Sequence, residues 1–503
     1  MAALCLGTSA LAQGQPLSVI DWVKRNPDTP PMTSAVIPKT FEPPVAPGVS
    51  VPAVTVHRLD GPARQMIGIV PASVTGLPQS LWTGSMAAGL VAQINDVPLF
   101  RLPAAQALLY TVMLTEAEGP GSDAENADLL TLARVGALTK FGAHDPAIAM
   151  LRQAGVTRDR AHFAAYMDAT LLTGGEDRAC AILAANPHLA PSLAHRSFCA
   201  ARESDWPTAA LLFDTGQSIG AIDGAESAAL ERFLHIEAYE DAPPLRRPSE
   251  ITPLIFRLHE AIGEPLPTGS LPRAYAVADL RDLAGWKPQL EAAERLAVSG
   301  ALPASRLLGL YTARQAAASG GVWERVRAVQ RFENAFRARS PEAISENLPP
   351  AWHEMQRAGL EIPFADLFAE ALTRYTLEGD AARVAQVMHL LSADYKNTHA
   401  EAVNDPLLYG ALTGDMSEIA PESPRDAALS RGFDVSNARS DLVAMARNGR
   451  MGEAILRALV LLDDGAAGDS VALTQALATL RAFGLEDTVR RAALQILLLE
   501  RYS

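Results

Sequence analysis

Asp145-Pro146-Ala147-Ile148-Ala149-Met150-Leu151, Asp177-Arg178-Ala179-Cys180-Ala181-Ile182-Leu183 and Asp205-Trp206-Pro207-Thr208-Ala209-Ala210-Leu211 repeat one phrase. Each opens on aspartate, runs through small residues and closes on leucine. The starts are 32 and 28 residues apart, the length of one helical hairpin in a repeat array. Helical periodicity surrounds these phrases from about Leu77 onward. It predicts helices over 81–93, 103–116, 127–140, 146–153, 160–172, 176–185, 191–201 and 207–219. Pro146, Pro191 and Pro207 fall in first turns, where a missing amide donor costs nothing. Gly142, Gly155, Gly174 and Gly175 fall where helices stop. The expected fold class is therefore all-α: a right-handed α-solenoid of TPR-like helical hairpins.

Asp241-Ala242-Pro243-Pro244-Leu245-Arg246-Arg247-Pro248 is the clearest internal break. It separates an expected first lobe, 53–240, from a second, 250–503. The second lobe predicts helices over 253–262, 272–284, 289–298, 304–318, 322–338, 341–347, 352–358, 364–377 and 381–393. Residues 404–432 carry Pro406, Gly410, Gly414, Pro421, Pro424 and Gly432, and predict a loop-rich stretch. Helical patterns resume over 441–448, 452–463, 470–482 and 485–499, with Gly449-Arg450-Met451-Gly452 as a turn into another hairpin helix.

The first 52 residues read differently. Residues 2–12 form a short apolar run ending in Ala10-Leu11-Ala12, the small-x-small pattern that a signal peptidase accepts. Residues 1–12 are expected to be a signal peptide whose basic front is missing, with the true start upstream. Residues 13–52 carry nine prolines and predict an extended tether. Within it Leu17, Ile20, Trp22 and Val23 form an apolar phrase, the candidate partner-docking residues. Residues 49–58 and 65–74 have β-type composition around Asp60-Gly61 and predict one small N-terminal β-hairpin.

Composition bounds the function. The chain has 503 residues, 49% apolar and 20% charged, enough to bury a large core. Its net charge of −14 repels phosphate backbones and anionic lipid, so no nucleic-acid partner is expected. No stretch reaches the ~18 apolar residues a transmembrane helix needs. Beyond Cys5 in the leader, the cysteines are Cys180 and Cys199. Each lies on a helix of adjacent predicted hairpins, so an exported chain is expected to join them in a disulfide.

The motifs of common chemistries are missing: GxSxG, SxxK, HExxH, the phosphate-binding GxxxxGK[ST] loop and GxGxxG. No catalytic residue, cofactor site or metal site is therefore expected. His353-Glu354 is half of a zinc-protease signature. His235, Glu237 and Glu240 could share a helix end, but read as surface charges. Gly320-Gly321 before Val322-Trp323 reads as a helix-entering turn. Trp82, Trp206, Trp286, Trp323 and Trp352 read as core anchors.

Leu17-Ser18-Val19-Ile20-Asp21-Trp22, Thr75-Gly76-Leu77-Pro78 before Leu81-Trp82, and Leu310-Tyr311-Thr312 followed by Ser319-Gly320-Gly321-Val322-Trp323 are distinctive. In these the chain resembles an uncharacterised alphaproteobacterial family of exported, alanine-rich helical proteins. Members of that family are often labelled as related to antifreeze glycopeptides. Such glycopeptides are Ala-Ala-Thr repeats, and no Ala-Ala-Thr occurs here. More loosely, the chain resembles the non-catalytic superhelical body of soluble lytic transglycosylases. Their catalytic Glu-Ser motif finds only Glu422-Ser423, set between Pro421 and Pro424. The expected role is a non-enzymatic periplasmic scaffold or adaptor that binds a protein or peptide partner in the cell envelope. The alternative is a peptidoglycan-associated envelope enzyme, or the transglycosylase-like body of one.

Overall fold

The structure, a computed structural model, describes residues 66–121, 126–398 and 403–499. These residues are predominantly helical, with one two-stranded sheet. The leader, the tether with Leu17, Ile20, Trp22 and Val23, and the 49–58 arm of the expected hairpin lie outside them.

The 65–74 arm holds a strand that pairs with a later one. After β1 (Met66–Ile67) come α1 (Ala72–Thr75), α2 (Ala87–Asp96) and α3 (Pro103–Leu114), then β2 (Ala117–Glu118). Strand β1 pairs antiparallel with β2, Met66 opposite Glu118 and Ile67 opposite Ala117. Arg134, buried on α4 (Ala127–Lys140), braces β1 from beside this pair. Its Nε donates to the Met113 carbonyl at 2.8 Å, Nη1 to Ile67 at 2.9 Å and Nη2 to Thr115 at 2.8 Å. Burial pushes the guanidinium down to about 9. Carbonyls at the C-terminal end of α3 oppose that by presenting the negative end of the helix dipole to the charge. One side chain thus ties β1 to the end of α3.

From α4 to α10, neighbours in sequence are neighbours in space. The series runs α5 (His144–Ala154), α6 (Arg160–Thr173), α7 (Glu176–Ala185), α8 (Leu193–Arg202), α9 (Trp206–Ser218) and α10 (Gly224–Leu234). Each packs on the next, and α4 also meets α6 as α8 meets α10. Gly142 turns the chain between α4 and α5 at φ +92°. That conformation favours glycine, and a Cβ there would also push on Leu296 Cδ2, 2.2 Å away on the later helix α12 (Trp286–Val298).

Cys180 on α7 and Cys199 on α8 form a disulfide with Cα atoms 4.9 Å apart. Both residues are buried. The bond closes a loop of 19 residues' separation, which the chain-entropy account values at roughly 3 kcal/mol. Reduction, or the Cys180→Ala/Cys199→Ala pair, should lower the unfolding free energy by about that amount. Urea denaturation followed by circular dichroism measures it; an unchanged midpoint would refute a stabilising bond.

Helix α11 (Pro253–Ala261) follows the proline-rich break and packs against α6 and α10. An ionic network joins these parts. Glu176, buried at the start of α7, takes Arg257 Nε at 2.8 Å and Nη2 at 2.7 Å on one oxygen. Arg257 Nη1 also reaches Glu260 at 2.5 Å, and Arg281 Nη2 holds both Glu260 oxygens at 2.6 and 2.7 Å.

The 273–280 segment is 3₁₀ where an α-helix is expected over 272–284. Arg295 takes the Thr268 and Leu271 carbonyls just before it, at 2.9 and 2.8 Å. Next come α13 (Ala304–Thr312), α14 (Val322–Arg337), α15 (Pro341–Ala358), α16 (Glu361–Leu372) and α17 (Gly379–Leu391). Helix α15 corrects an expected break: it runs through Pro349 and Pro350. Buried Ile344, Leu348, Ala351, Trp352 and Met355 hold it in place despite the lost amide donors. Phe332 anchors α14 on α16, with ring centroids 5.4 Å from Phe364 and 4.9 Å from Phe368.

The stretch expected to be loop-rich contains α18 (Pro406–Thr413) and α19 (Pro424–Gly432). Pro406 and Pro424 are helix starts and Gly414 is a helix stop in the left-handed region. The chain ends in α20 (Ser440–Arg447), α21 (Met451–Ala466), α22 (Ser470–Ala482) and α23 (Glu486–Leu498).

These last helices return to the first. Helix α21 packs on α2 and α3, and α23 packs on α3. Gly84 N–H donates to the Gly449 carbonyl and Gly452 N–H to the Leu81 carbonyl, each at 2.9 Å. Arg101 N–H and guanidinium both bind Asp463, at 2.7 and 2.5 Å, and Ala104 N–H donates to Gln495 at 2.9 Å. Buried Trp82 sits at the centre of this seam. A Cβ at Gly452 would lie 2.4 Å from the Trp82 ring. The main hydrophobic core runs from Ile67 to Leu499, with a small separate cluster of Leu172, Phe256, Leu271, Tyr275 and Ala278. No helix among the described residues is long and apolar enough to cross a membrane.

Candidate interaction surface

The α8–α9–α10 end of the molecule combines exposed apolar side chains with a surplus of carboxylates. Its framework begins with Asp205, whose carboxylate accepts the Thr208 N–H at 3.2 Å and starts α9. Pro207 follows in the first turn. Helices α8 and α9 are fastened by buried Ser197, whose hydroxyl donates to the Ala209 carbonyl at 2.8 Å. Gly216 lets Ile222 pack against α9: a Cβ there would lie 2.4 Å from Ile222 Cδ1.

Helix α10 is absent from the expected helices, and it carries the aromatic hinge of this surface. Phe233 stacks on Phe198 of α8 at 5.5 Å and on Trp206 of α9 at 6.3 Å. These contacts place the α8–α9 turn beside the C-terminal end of α10. Trp206 is not a core anchor: with one face on Phe233, it stays 48% exposed. Ile236 follows α10 at 54% exposure.

A second set of contacts fixes the segment beyond Ile236. Tyr239 donates its hydroxyl to Glu231 at 2.8 Å, and that hydrogen bond raises the phenol pKa. The Arg232 guanidinium lies 5.4 Å from the Tyr239 ring centroid. It donates to Glu264 and, at 3.0 Å, to the Pro243 carbonyl. Glu264 in turn accepts the Leu245 N–H at 2.8 Å.

Around Trp206 and Ile236 the exposed acids are Asp177, Glu203, Asp205, Glu237, Glu240 and Asp241. The exposed guanidiniums at this end are Arg178, Arg202, Arg246 and Arg247, of which Arg247 donates to the Ser270 hydroxyl at 2.7 Å. Arg202 is committed: it pairs with Asp177 and stands 3.8 Å from Glu176. The result is an exposed apolar pair in a region where six carboxylates face four guanidiniums, a negative rim on balance.

The remaining sequence candidates fall elsewhere. His235 closes α10 and is exposed alongside Glu237 and Glu240. No group of three His, Cys, Asp or Glu suited to a metal occurs among the described residues. His353 is exposed, and Glu354 pairs with Arg357 at 3.1 Å. Gly321 is a helix start at φ +54°. Ser423 accepts the Asp426 N–H at 3.1 Å, so it caps α19, next to exposed Glu422. Trp286 and Trp323 pack at 5.2 Å, and Trp286 Nε1 donates to the Leu310 carbonyl at 2.9 Å. Trp82, Trp286 and Trp352 are buried as expected of core anchors.

Compared with known proteins, the chain matches no protein-family model, no curated protein and no solved structure.

Proposed function

We propose that this protein is an exported scaffold or adaptor that binds a protein partner in the periplasm. The observation that carries the reading is the Trp206–Ile236 surface. A tryptophan half out of water, supported from behind by stacked aromatics, is the kind of residue that anchors protein interfaces. The disulfide supports an oxidising compartment. The successive packing of α4 through α10 supports a solenoid of TPR-like hairpins as the frame for this surface. The alphaproteobacterial exported family that the sequence resembles has the same envelope setting.

Affinity purification of the full chain from an envelope extract tests the proposal. One protein should co-purify stoichiometrically and be lost with Trp206→Ala. Turnover of purified cell-wall sacculi by the isolated chain would overturn the scaffold reading in favour of an enzyme.

A further inference from the structure

The negative rim says what kind of partner segment fits this surface. We propose that it binds a segment with an apolar or aromatic anchor flanked by lysine or arginine; the inference rests on the adaptor reading above. The anchor takes the space against Trp206 and Ile236, both of which face solvent. The flanks meet Glu203, Asp205, Glu237, Glu240 and Asp241, all exposed. None of these five carboxylates has a salt bridge within the described chain. A partner without cations would strip water from them and return nothing, which makes it a poor occupant.

The same charges disfavour other occupants. A second copy docking face to face would bring this rim against its own image, and like charges in contact oppose such pairing. Nucleic acid and anionic lipid would meet the same rim within a field of net charge −14. A basic segment is drawn in by that field before contact, which speeds its association and makes binding salt-dependent.

The test is selection of a phage-displayed 12-residue peptide library on the immobilised full-length protein. Fluorescein-labelled copies of the selected peptides are then titrated by anisotropy. Trp206-dependent peptides should carry Lys or Arg on both sides of a Leu, Phe or Trp. Trp206→Ala should weaken them about 30-fold, the scale of a tryptophan hot spot. Raising NaCl from about 50 to about 500 mM should weaken them about tenfold. The triple variant Glu237→Gln/Glu240→Gln/Asp241→Asn alters only exposed positions, so it tests the rim without touching the Phe233 stack. It should reduce both the affinity and its salt dependence.

Trp206-dependent peptides that are neutral or acidic would overturn the basic-segment inference and leave the adaptor reading standing. A selection with no Trp206-dependent peptide would overturn both. A Trp206-dependent dimer in light scattering would assign the surface to a second copy and overturn the inference. Competition by a peptide of residues 17–25 that tracks Trp206 would give the surface to the chain's own Trp22-Val23-Lys24-Arg25, which also overturns an external partner.

Discussion

Trp82→Ala should lower the unfolding free energy by about 4 kcal/mol, the scale for emptying a buried tryptophan site. The indole is fully buried where the 81–84 turn meets the 449–452 turn. Its loss leaves a cavity between segments far apart in sequence, held from outside by two backbone hydrogen bonds. Gly452→Ala attacks the same seam from the other side. The added methyl would sit 2.4 Å from the ring, and overpacking of this kind costs about 1–3 kcal/mol. Urea midpoints by circular dichroism give both values. If neither variant moves the midpoint, the first and last helices are not joined through this contact.

Arg257→Met should cost about 3–5 kcal/mol, because it strands a buried carboxylate. Glu176 is 2% exposed, and Arg257 supplies both of its close cationic contacts. Arg202, at 3.8 Å, is too far for a hydrogen bond and is already held by Asp177. The companion variant Glu176→Gln/Arg257→Met removes both charges and should regain much of the loss. A double-mutant cycle by urea denaturation separates the pair's coupling from the packing of the arginine stem. Equal losses in the single and double variants would place the cost in packing alone. The bridge spans the proline-rich break, so the measurement also reports how firmly α7 and α11 hold together.

Much of the helical framework is legible in the sequence, because its signals are local. Ala127–Lys140, Glu176–Ala185 and Ser470–Ala482 fall where the periodicity puts them. Proline at a helix start and glycine at a stop are set by the backbone next door. The errors arise where the same punctuation has two meanings. Pro406 and Pro424 read as loop breakers but begin helices. Pro349 and Pro350 read as a break but lie inside one, since the buried face of α15 outweighs the missing donors.

The candidate surface is less visible for a different reason. Helix α10 begins at Gly224, and its buried residues are Ala229, Leu230 and Arg232, too few apolar positions for a clear stripe. Without α10 there is no Phe233 beside Trp206, and the tryptophan reads as one more core residue. The only local hint is Arg232-Phe233-Leu234 ahead of exposed Ile236. The seam between α2–α3 and α21–α23 leaves a fainter trace still. Gly84 and Gly452 look like ordinary turn glycines until the partner backbone stands against them.

A row of helices with a bare outermost member loosens there first, like a rope coming undone from its cut tip. Here α21 and α23 grip α2 and α3, so among the described helices that splice has no bare outermost member. Fraying is denied its usual starting place, and helices that are weak formers alone inherit the staying power of their neighbours.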